Sequence, residues 1–327
     1  MNWKHWWSTA LTVSLVSLSA QAAAEDPVRV TPLGSHKGEF CSLDRAMVFE
    51  DPNGTRILYD AGRTVAGPDD PHLGDIDVVL VSHVHGDHIG DRRIAEPGAG
   101  TCASPEASVD ATPNSNSVDI AVGKGAKILT GSEMPSFFAT KLTAAGGKAE
   151  DSVLVRFGAM QTVGGVGITT VPAVHSNGLA PGFLTGPLAD HLKQAGVNAY
   201  VGPPTGYILK FSNGLVVYLS GDTGITADQK LVVHDFYKAK LAVMNIGDTY
   251  TTGPKEAAHV VNELVQPAAV IPSHANQPST REGKVLPDSR TAEFAAATQV
   301  PVYIPLSDAT MSFDENGVCQ KGCLEGN

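Results

Sequence analysis

The stretch His83-Val84-His85-Gly86-Asp87-His88 follows the apolar, β-branched run 76–82 and carries the strongest signal in this sequence. The apolar run predicts a buried strand. In an extended segment that leaves a strand, residues two apart point the same way, so His83 and His85 can converge on one ion. If a helix then begins near Asp87, the side chains of Asp87 and His88 turn toward a second point beside the first. Neutral imidazoles and a carboxylate suit zinc or a similar divalent ion, so the stretch predicts a metal site at the end of a strand.

Six residues cannot complete two coordination shells, so further ligands are expected at the ends of other strands. Three β-branched runs end in a suitable residue: the run 169–174 precedes His175, the run 216–221 precedes Asp222, and the run 270–273 precedes His274. Taken singly, each of these is more often an ordinary turn residue than a ligand. Together with the first stretch, and in this order, they indicate one shared metal site.

The motif H-x-H-x-D-H, followed by separate His, Asp and His residues, is typical of the metallo-β-lactamase superfamily, which this sequence resembles over about residues 27–310. Within the superfamily it looks most like the ascorbate-6-phosphate-lactonase-like metal-dependent hydrolases. The stretches that carry this closer resemblance are Tyr218–Gly224, Met244–Tyr250 with Gly253–Ala257, and Val270–His274.

The resemblance implies an α+β fold, an αββα sandwich of two β-sheets flanked by helices, with a two-metal site at one edge. It also implies two divalent metal ions, with Zn²⁺ favoured and Mn²⁺ or Fe²⁺ as alternatives. The ligands that it implies are His83, His85 and His175 for the first ion, Asp87, His88 and His274 for the second, and Asp222 as a bridge between them.

Two cations that share a water lower its pKa from about 15.7 towards 7 and polarise the oxygen of the bond to be cleaved. The resulting hydroxide would attack a carbonyl or a phosphorus centre. Asp87 is also the candidate catalytic residue, for proton transfer to the leaving group. Asp60 follows the predicted strand 57–59, where it either fixes the imidazole of a ligand or is simply a turn residue.

The chain has 327 residues, with 23 Lys and Arg against 34 Asp and Glu, and a formal net charge of −11. A deficit of this size, with no run of Lys or Arg, disfavours a nucleic-acid or anionic-membrane partner and leaves a small molecule as the expected substrate. The 34 glycines and 21 prolines, with 6% aromatic residues, indicate a turn-rich protein with many short strands.

Residues 1–24 are typical of a secretory signal peptide: Lys4 and His5 begin it, and a short apolar run follows. The small-x-small cleavage sites Ala20-Gln21-Ala22 and Ala22-Ala23-Ala24 close it, so the mature chain is expected to begin at Glu25. There is no cysteine at the cleavage point, so a lipid anchor is not expected. We therefore expect a periplasmic or secreted protein whose residues 25–327 form a single hydrolase domain.

An exported protein can keep disulfide bonds. Its four cysteines allow three pairings, and the short separation of Cys319 and Cys323 favours a bond between them, which leaves Cys41 and Cys102. Free thiols or a different pairing are the alternatives at this point.

Eleven short apolar runs bounded by turn residues predict strands, and five longer stretches predict helices. Asn53-Gly54 and Asn213-Gly214 each lie between two such runs and predict tight hairpin turns. The strands are predicted at 46–49, 56–59, 78–82, 128–130, 153–157, 167–171, 207–211, 215–220, 241–246, 269–272 and 302–305, and the helices at 132–145, 188–195, 226–237, 254–264 and 291–298.

Two long segments, 96–118 and 176–206, are rich in Pro, Gly and small polar residues and predict irregular structure. The second begins directly after His175, so it is expected to roof the substrate pocket, with Tyr200 and Tyr207 as candidate contacts.

Taken together, the sequence favours an exported two-metal hydrolase that acts on a small ester, lactone or phosphoester. The alternatives are a β-lactam hydrolase and a non-catalytic metal-binding protein on the same fold. The substrate and the oligomeric state are not determined by the ligand residues, because loops set specificity.

Overall fold

The computed structural model describes Met1, Trp3, residues 26–111 and residues 115–326. The predicted signal peptide, 1–24, lies outside the described residues apart from Met1 and Trp3. Within the described residues, no helix has the length and apolar character that a membrane span requires.

Two large β-sheets form the centre of the molecule, one of eight strands and one of six. In spatial order, the strands of the first sheet are Ser152–Leu154, Lys127–Thr130, Val78–Leu80, Arg56–Tyr59, Ala46–Glu50, Val28–Leu33, Met311–Phe313 and Cys319–Lys321. Those of the second sheet are Met160–Val163, Val166–Pro172, Thr205–Lys210, Val216–Leu219, Leu241–Asn245 and Ala269–Ser273. Four two-stranded ribbons pair Arg92–Arg93 with Val109–Asp110, Gly100–Thr101 with Ser104–Pro105, Gly178–Leu179 with Ala199–Tyr200, and Thr280–Arg281 with Lys284–Val285.

Helices cover the outer faces of both sheets. The α-helices of the described part of the chain are Gly86–Ile89, Asn116–Lys124, Met134–Ala144, Pro187–Ala195, Pro254–His259 and Arg290–Ala297. Gln229–Tyr237 and Val260–Val265 are π-helical, the latter continuing the helix Pro254–His259, and Ala149–Asp151 and Pro181–Phe183 are 3₁₀ turns.

Alternating side chains explain the layers, because successive residues of a strand face opposite sides of its sheet. In strand Ala46–Glu50, Met47 and Phe49 pack between the two sheets, whereas Ala46 and Val48 pack against the helices outside. In strand Leu241–Asn245 of the second sheet, Leu241 and Val243 likewise face the first sheet, and Ala242 and Met244 face the helices on the other side. The predicted αββα sandwich is confirmed.

Most predicted strands and helices are present within a few residues of their expected bounds. The predicted strand 302–305 is wrong, because Val302 and Tyr303 make only isolated bridges. Part of the segment 96–118 is also ordered: the helix Asn116–Lys124 begins there, and the Ser115 hydroxyl accepts a hydrogen bond from Val118 N at its N-terminus. Strands Val28–Leu33 and Met311–Phe313 were not predicted.

The two Asn-Gly pairs lie in turns, but these turns are longer than the predicted two-residue hairpins. They span residues 51–55 and 211–215, with Gly54 and Gly214 at φ of 94° and 91°. Asn53 and Asn213 use their side-chain oxygens to accept hydrogen bonds from the backbone nitrogen two residues on, at 3.0 Å in each case. The asparagine side chain therefore closes each turn, as in an Asx turn.

Both predicted disulfide bonds are present, Cys41–Cys102 and Cys319–Cys323. The first joins the loop before strand Ala46–Glu50 to the ribbon Gly100–Thr101 and Ser104–Pro105. The second closes a small loop next to the last strand of the first sheet.

Candidate metal centre

The candidate ligands lie at one edge of the sandwich because the strands before them run in the same direction. Arg56–Tyr59 is parallel to Val78–Leu80, and Val216–Leu219, Leu241–Asn245 and Ala269–Ser273 are parallel to one another. The strand before His175 shares the direction of Val216–Leu219, since both are antiparallel to Thr205–Lys210. The carboxyl ends of parallel strands form the edge at which α/β sheets place their ligands.

A single helical turn, Gly86–Ile89, turns the chain between the two halves of the first stretch. It begins after His85, whose backbone is extended, so His83 and His85 precede the helix while Asp87 and His88 lie on it. Gly90 ends it at φ 72°, where an added Cβ would lie 2.4 Å from the backbone oxygen of Gly62. Only glycine fits this position, and the close approach brings the helix against the loop after strand Arg56–Tyr59.

The Asp222 carboxylate is the centre of the cluster. Its Oδ2 lies 3.2 Å from Nε2 of His274 and 3.3 Å from Nε2 of His88. The same oxygen lies 3.7 Å from Nε2 of His175 and 3.9 Å from Nε2 of His83. One carboxylate oxygen therefore faces four imidazoles from three separate stretches of the chain.

All seven predicted residues lie in this cluster, and three sets of them offer ligand atoms within 4.8 Å of one another. Two sets have the composition that the resemblance implies for the two ions, and the third combines Asp222 with one histidine from each. The sets are His83, His85 and His175; Asp87, His88 and His274; and His83, His88 and Asp222.

The chemistry of these donors fits divalent metal ions. Nε2 of His83, Nε2 of His274 and Oδ1 of Asp222 are buried and make no hydrogen bond of acceptable geometry. A buried polar atom without a partner costs about 1–3 kcal/mol, so three of them in one place indicate an absent partner. Imidazole and carboxylate donors are those that zinc and related ions accept.

Asp60 fixes one of these imidazoles. Its Oδ2 accepts a hydrogen bond from Nδ1 of His88 at 2.8 Å, and its Oδ1 accepts from the backbone nitrogen of Ser82 at 2.8 Å. The side chain is 1% exposed. With Nδ1 occupied, His88 presents Nε2 to the cluster, so of the two interpretations of Asp60 the hydrogen bond favours the one in which it orients an imidazole.

Arg45 lies in the cluster although the sequence did not indicate it. Its side chain is 2% exposed, and its Nη1 lies 2.5 Å from Oδ2 of Asp87 and 3.1 Å from Nε2 of His88. Arg45 directly precedes strand Ala46–Glu50, and its Nε donates to the backbone oxygen of Leu43. A lone arginine before an apolar strand has no spacing that marks it, because Asp87 and His88, its partners in the cluster, lie more than forty residues away.

Burial determines the charge of the first set of histidines. It lowers the pKa of His83 well below the usual value, and it lowers the pKa of His85 and His175 as well. Neighbouring histidines lower these pKa values further. The three imidazoles are therefore neutral near pH 7, which is the form that binds a metal ion.

Charge pairing determines the state of the other ionisable groups. Burial alone would lower the pKa of His88, but Asp222, Asp60 and Asp87 outweigh it and raise the pKa to about 10. Burial alone would raise the pKa of Asp87, but Arg45 and His88 hold it well below the usual value. Asp222 is also held ionised, against its burial, by His88 and His274.

A cleft of about 370 Å³ opens over the cluster. Five of the candidate ligands line it, together with residues that the sequence did not indicate, among them two arginines and a tyrosine. Its lining residues are Leu43, Arg45, Arg63, His85, Asp87, His175, Ser176, Asp222, Tyr250, His274 and Asn276.

The predicted roof is largely wrong. Of the segment 176–206, Ser176 alone is among the lining residues of this cleft, all of that segment being described. Tyr207 is fully buried, and its hydroxyl donates to the backbone oxygens of Val81 and Leu129. Instead, Leu179 and Phe183 of this segment pack into the apolar cluster between the first sheet and the helices that cover it.

The chain belongs to the beta-lactamase superfamily domain family, whose model matches residues 55–275. It is 30% identical over 226 residues to a "UPF0173 metal-dependent hydrolase" of Koribacter versatilis (strain Ellin345), covering 68% of this chain and 77% of that protein. Another UPF0173 metal-dependent hydrolase, from Cupriavidus necator, is 28% identical over 318 residues, covering 93% of this chain and 98% of that protein. The protein is thus a metal-dependent hydrolase of the metallo-β-lactamase superfamily.

Solved structures share the fold. A metallo-beta-lactamase fold protein from Bacillus subtilis superposes with a TM-score of 0.54 at 16% identity, over 88% of this chain and 99% of its own. A metallo hydrolase from Ignicoccus hospitalis gives a TM-score of 0.51 at 21% identity, over 88% and 100%. At these identities the likeness shows the fold alone.

Proposed function

We propose that this protein is an exported hydrolase that uses two divalent cations, with Zn²⁺ favoured, to cleave a small ester, lactone or phosphoester. The observation that carries the proposal is the convergence of seven side chains, three of them with unpartnered buried ligand atoms, beneath one cleft. The volume of the cleft, about 370 Å³, is in the range of small-molecule sites.

The two sets of side chains divide between two ions. His83, His85 and His175 would hold the first, and Asp87, His88 and His274 the second, with Asp222 between them. When bound, such a pair lowers the pKa of a shared water and polarises the oxygen of the bond to be cleaved.

Asp87 is the residue of the chain that we expect to move a proton. It lines the cleft, its side chain is 30% exposed, and its low pKa keeps it ionised and able to accept. Arg45 and His274 contact its Oδ2. The proton that the attacking water loses would therefore be carried on Oδ1 of Asp87 and passed to the leaving group.

A substrate screen on metal-loaded protein tests this proposal. Lactones, phosphodiesters, simple esters and the β-lactam nitrocefin would be assayed with and without EDTA, and the bound metal would be counted on the same sample. We expect two equivalents of metal and EDTA-sensitive turnover of an ester, lactone or phosphoester. Turnover confined to nitrocefin would instead favour a β-lactam hydrolase.

A double variant, His85→Ala with Asp222→Ala, supplies the matched test. It removes one ligand of the first set and the shared carboxylate, so turnover should be lost. The control is His259→Ala, an exposed histidine on the helix Pro254–His259 outside the cleft. Full turnover in the double variant would refute the proposal.

Export is supported by the pattern of residues 1–24 and by two disulfide bonds, since such bonds persist in oxidising compartments.

A further inference from the structure

The buried guanidinium of Arg45 lies against the second set of candidate ligands. Its Nη1 is 2.5 Å from Oδ2 of Asp87, the same oxygen that lies 3.3 Å from Nε2 of His274. It is also 3.1 Å from Nε2 of His88, the nitrogen that Asp60 leaves facing the cluster. A fixed positive charge therefore contacts two of the three residues of this set, and the carboxylate oxygen that it contacts lies next to the third.

Arg45 has little room to withdraw. Its Nε donates to the backbone oxygen of Leu43, and its side chain is 2% exposed. A Cβ added to Gly62 would lie 3.2 Å from Cγ and 3.3 Å from Cδ of Arg45, so the stem of the arginine packs closely against this glycine. The absence of a side chain at Gly62 gives the arginine stem its place.

The first set of candidate ligands has no such neighbour. Among the hydrogen bonds and ion pairs of residues 26–111 and 115–326, no Arg or Lys contacts His83, His85 or His175. Their contacts are with the hydroxyls of Ser82 and Ser176, with each other, with the ring of His88 and with Asp222.

We propose that Arg45 makes the affinities of the two metal sites unequal. Its guanidinium places a positive charge beside Asp87 and so weakens binding of the second ion. This inference rests on the proposed two-ion function. A divalent cation bound by Asp87, His88 and His274 meets a buried like charge and must share the Asp87 carboxylate with it, whereas an ion held by the three histidines does not. Repulsion between charges a few ångströms apart is strong where water is excluded.

The consequence is an order of loading. At limiting metal the protein holds one ion on His83, His85 and His175, and the guanidinium balances the charge of Asp87. The second ion binds only at a higher concentration of free metal.

Zinc titration of the metal-stripped full chain, read with a fluorescent zinc indicator, tests the inference without measuring turnover. The wild type should show two dissociation constants separated by at least about tenfold. Arg45→Met keeps the packing against Gly62 and removes the charge, so it should tighten the second constant by at least about tenfold and leave the first unchanged. Arg45→Lys keeps the charge and should keep the separation.

Arg63→Met is the matched control, because Arg63 lines the same cleft but pairs with Asp91 instead of Asp87. It should leave both constants unchanged. Two ligand variants assign the steps with Arg45 in place, which also decides the matter if Arg45→Met does not fold. His85→Ala should lose the tight step, and His274→Ala should lose the weak one.

Three results would overturn the inference: equal constants in the wild type, a weaker second site in Arg45→Met, or loss of the tight step in His274→Ala. Binding of a single ion under all conditions would instead refute the two-ion function on which the inference rests.

Discussion

At the scale of single residues, the site depends on hydrogen bonds that hold the buried Asp60 carboxylate against the His88 imidazole. Asp60 has a positive φ of 41°, and both of its carboxylate oxygens are occupied, by Ser82 and by His88. Its position after a strand end allowed the sequence to suggest it as an orienting residue. Its pairing with His88 in particular depends on the fold, because 28 residues separate the two.

Asp60→Asn should weaken metal binding by about 10–100-fold. Asparagine offers one acceptor oxygen, so its NH₂ group must face either the Ser82 nitrogen or Nδ1 of His88, and the imidazole loses its fixed direction. The measurement is metal retained after dialysis against a competing chelator.

Asp51→Asn is the control for this substitution. Asp51 is also buried and uses both oxygens, accepting from the backbone nitrogen and the hydroxyl of Ser212, but it lies outside the cleft. It should lower stability without changing metal retention. Equal retention in the two variants would contradict the orienting role of Asp60.

The direction of the pKa shifts predicts how many protons each of the two proposed ions would displace. At pH 6, three histidines with the ordinary pKa of 6.5 would release about two protons when a metal binds. Because burial lowers the pKa of His83, His85 and His175, the first ion should release clearly fewer. The second ion should displace a proton from His88, whose pKa is raised to about 10.

Calorimetric titration in buffers of different ionisation enthalpy measures these protons. Release of two or more protons by the first ion at pH 6 would show that the first set is not held neutral.

At the scale of elements, the sequence pattern predicted the strands whose burial follows from their apolar composition. Fully apolar runs such as Val78–Leu80 are buried on both faces and were recognised by composition alone. Val28–Leu33 contains an arginine and a proline and was missed, because its place in the sheet depends on pairing with Ala46–Glu50 and Met311–Phe313. The helix Asn116–Lys124 was missed because its start depends on a single capping hydroxyl, that of Ser115.

Tyr207 shows how the two sheets are joined near the site. It stands on the second sheet, and its hydroxyl donates to backbone oxygens of Val81 and Leu129 in and beside the first, at 2.7 and 3.1 Å. Burial raises its pKa well above the usual value, so the hydroxyl stays protonated and remains a donor.

Tyr207→Phe should lower the free energy of unfolding by about 1–3 kcal/mol, because it leaves buried acceptors without their donor. Urea unfolding measures the loss. Metal content and KM should stay unchanged, since Tyr207 is a core residue and lines no part of the cleft. A raised KM with unchanged stability would instead support the contact between Tyr207 and substrate that the sequence suggested.

At the scale of the whole molecule, the pattern of seven candidate ligands, through the family that it resembles, was sufficient to predict the sandwich and the edge at which these residues meet. Arg45, Arg63 and Tyr250 could not be found in this way. They reach the cleft from separate loops, and no periodicity or spacing in the sequence relates them to the histidines. The residues that shape the cleft therefore required the structure, whereas the candidate ligands did not.

The expected export of the chain gives a prediction at this scale. Full-length protein produced in a bacterium with a periplasm should be recovered there with Glu25 as its first residue, because the second of the two cleavage sites ends at Ala24. Mass spectrometry of the intact protein measures this, and a chain that lacks residues 2–24 serves as the control and should stay in the cytoplasm. Cytoplasmic protein that still carries residues 1–24 would contradict the prediction.

The Cys41–Cys102 bond is anchored immediately next to the cleft. The backbone nitrogen of Cys41 donates to Asp44, the residue before Arg45, and the backbone nitrogen of Ser42 donates to the oxygen of Cys102. A covalent tie thus secures the loop from which the guanidinium projects. Thiol oxidation and the electrostatics around Asp87 are consequently linked. A chain matured under reducing conditions would keep the same candidate ligands, but the loop that carries Arg45 would be held less firmly.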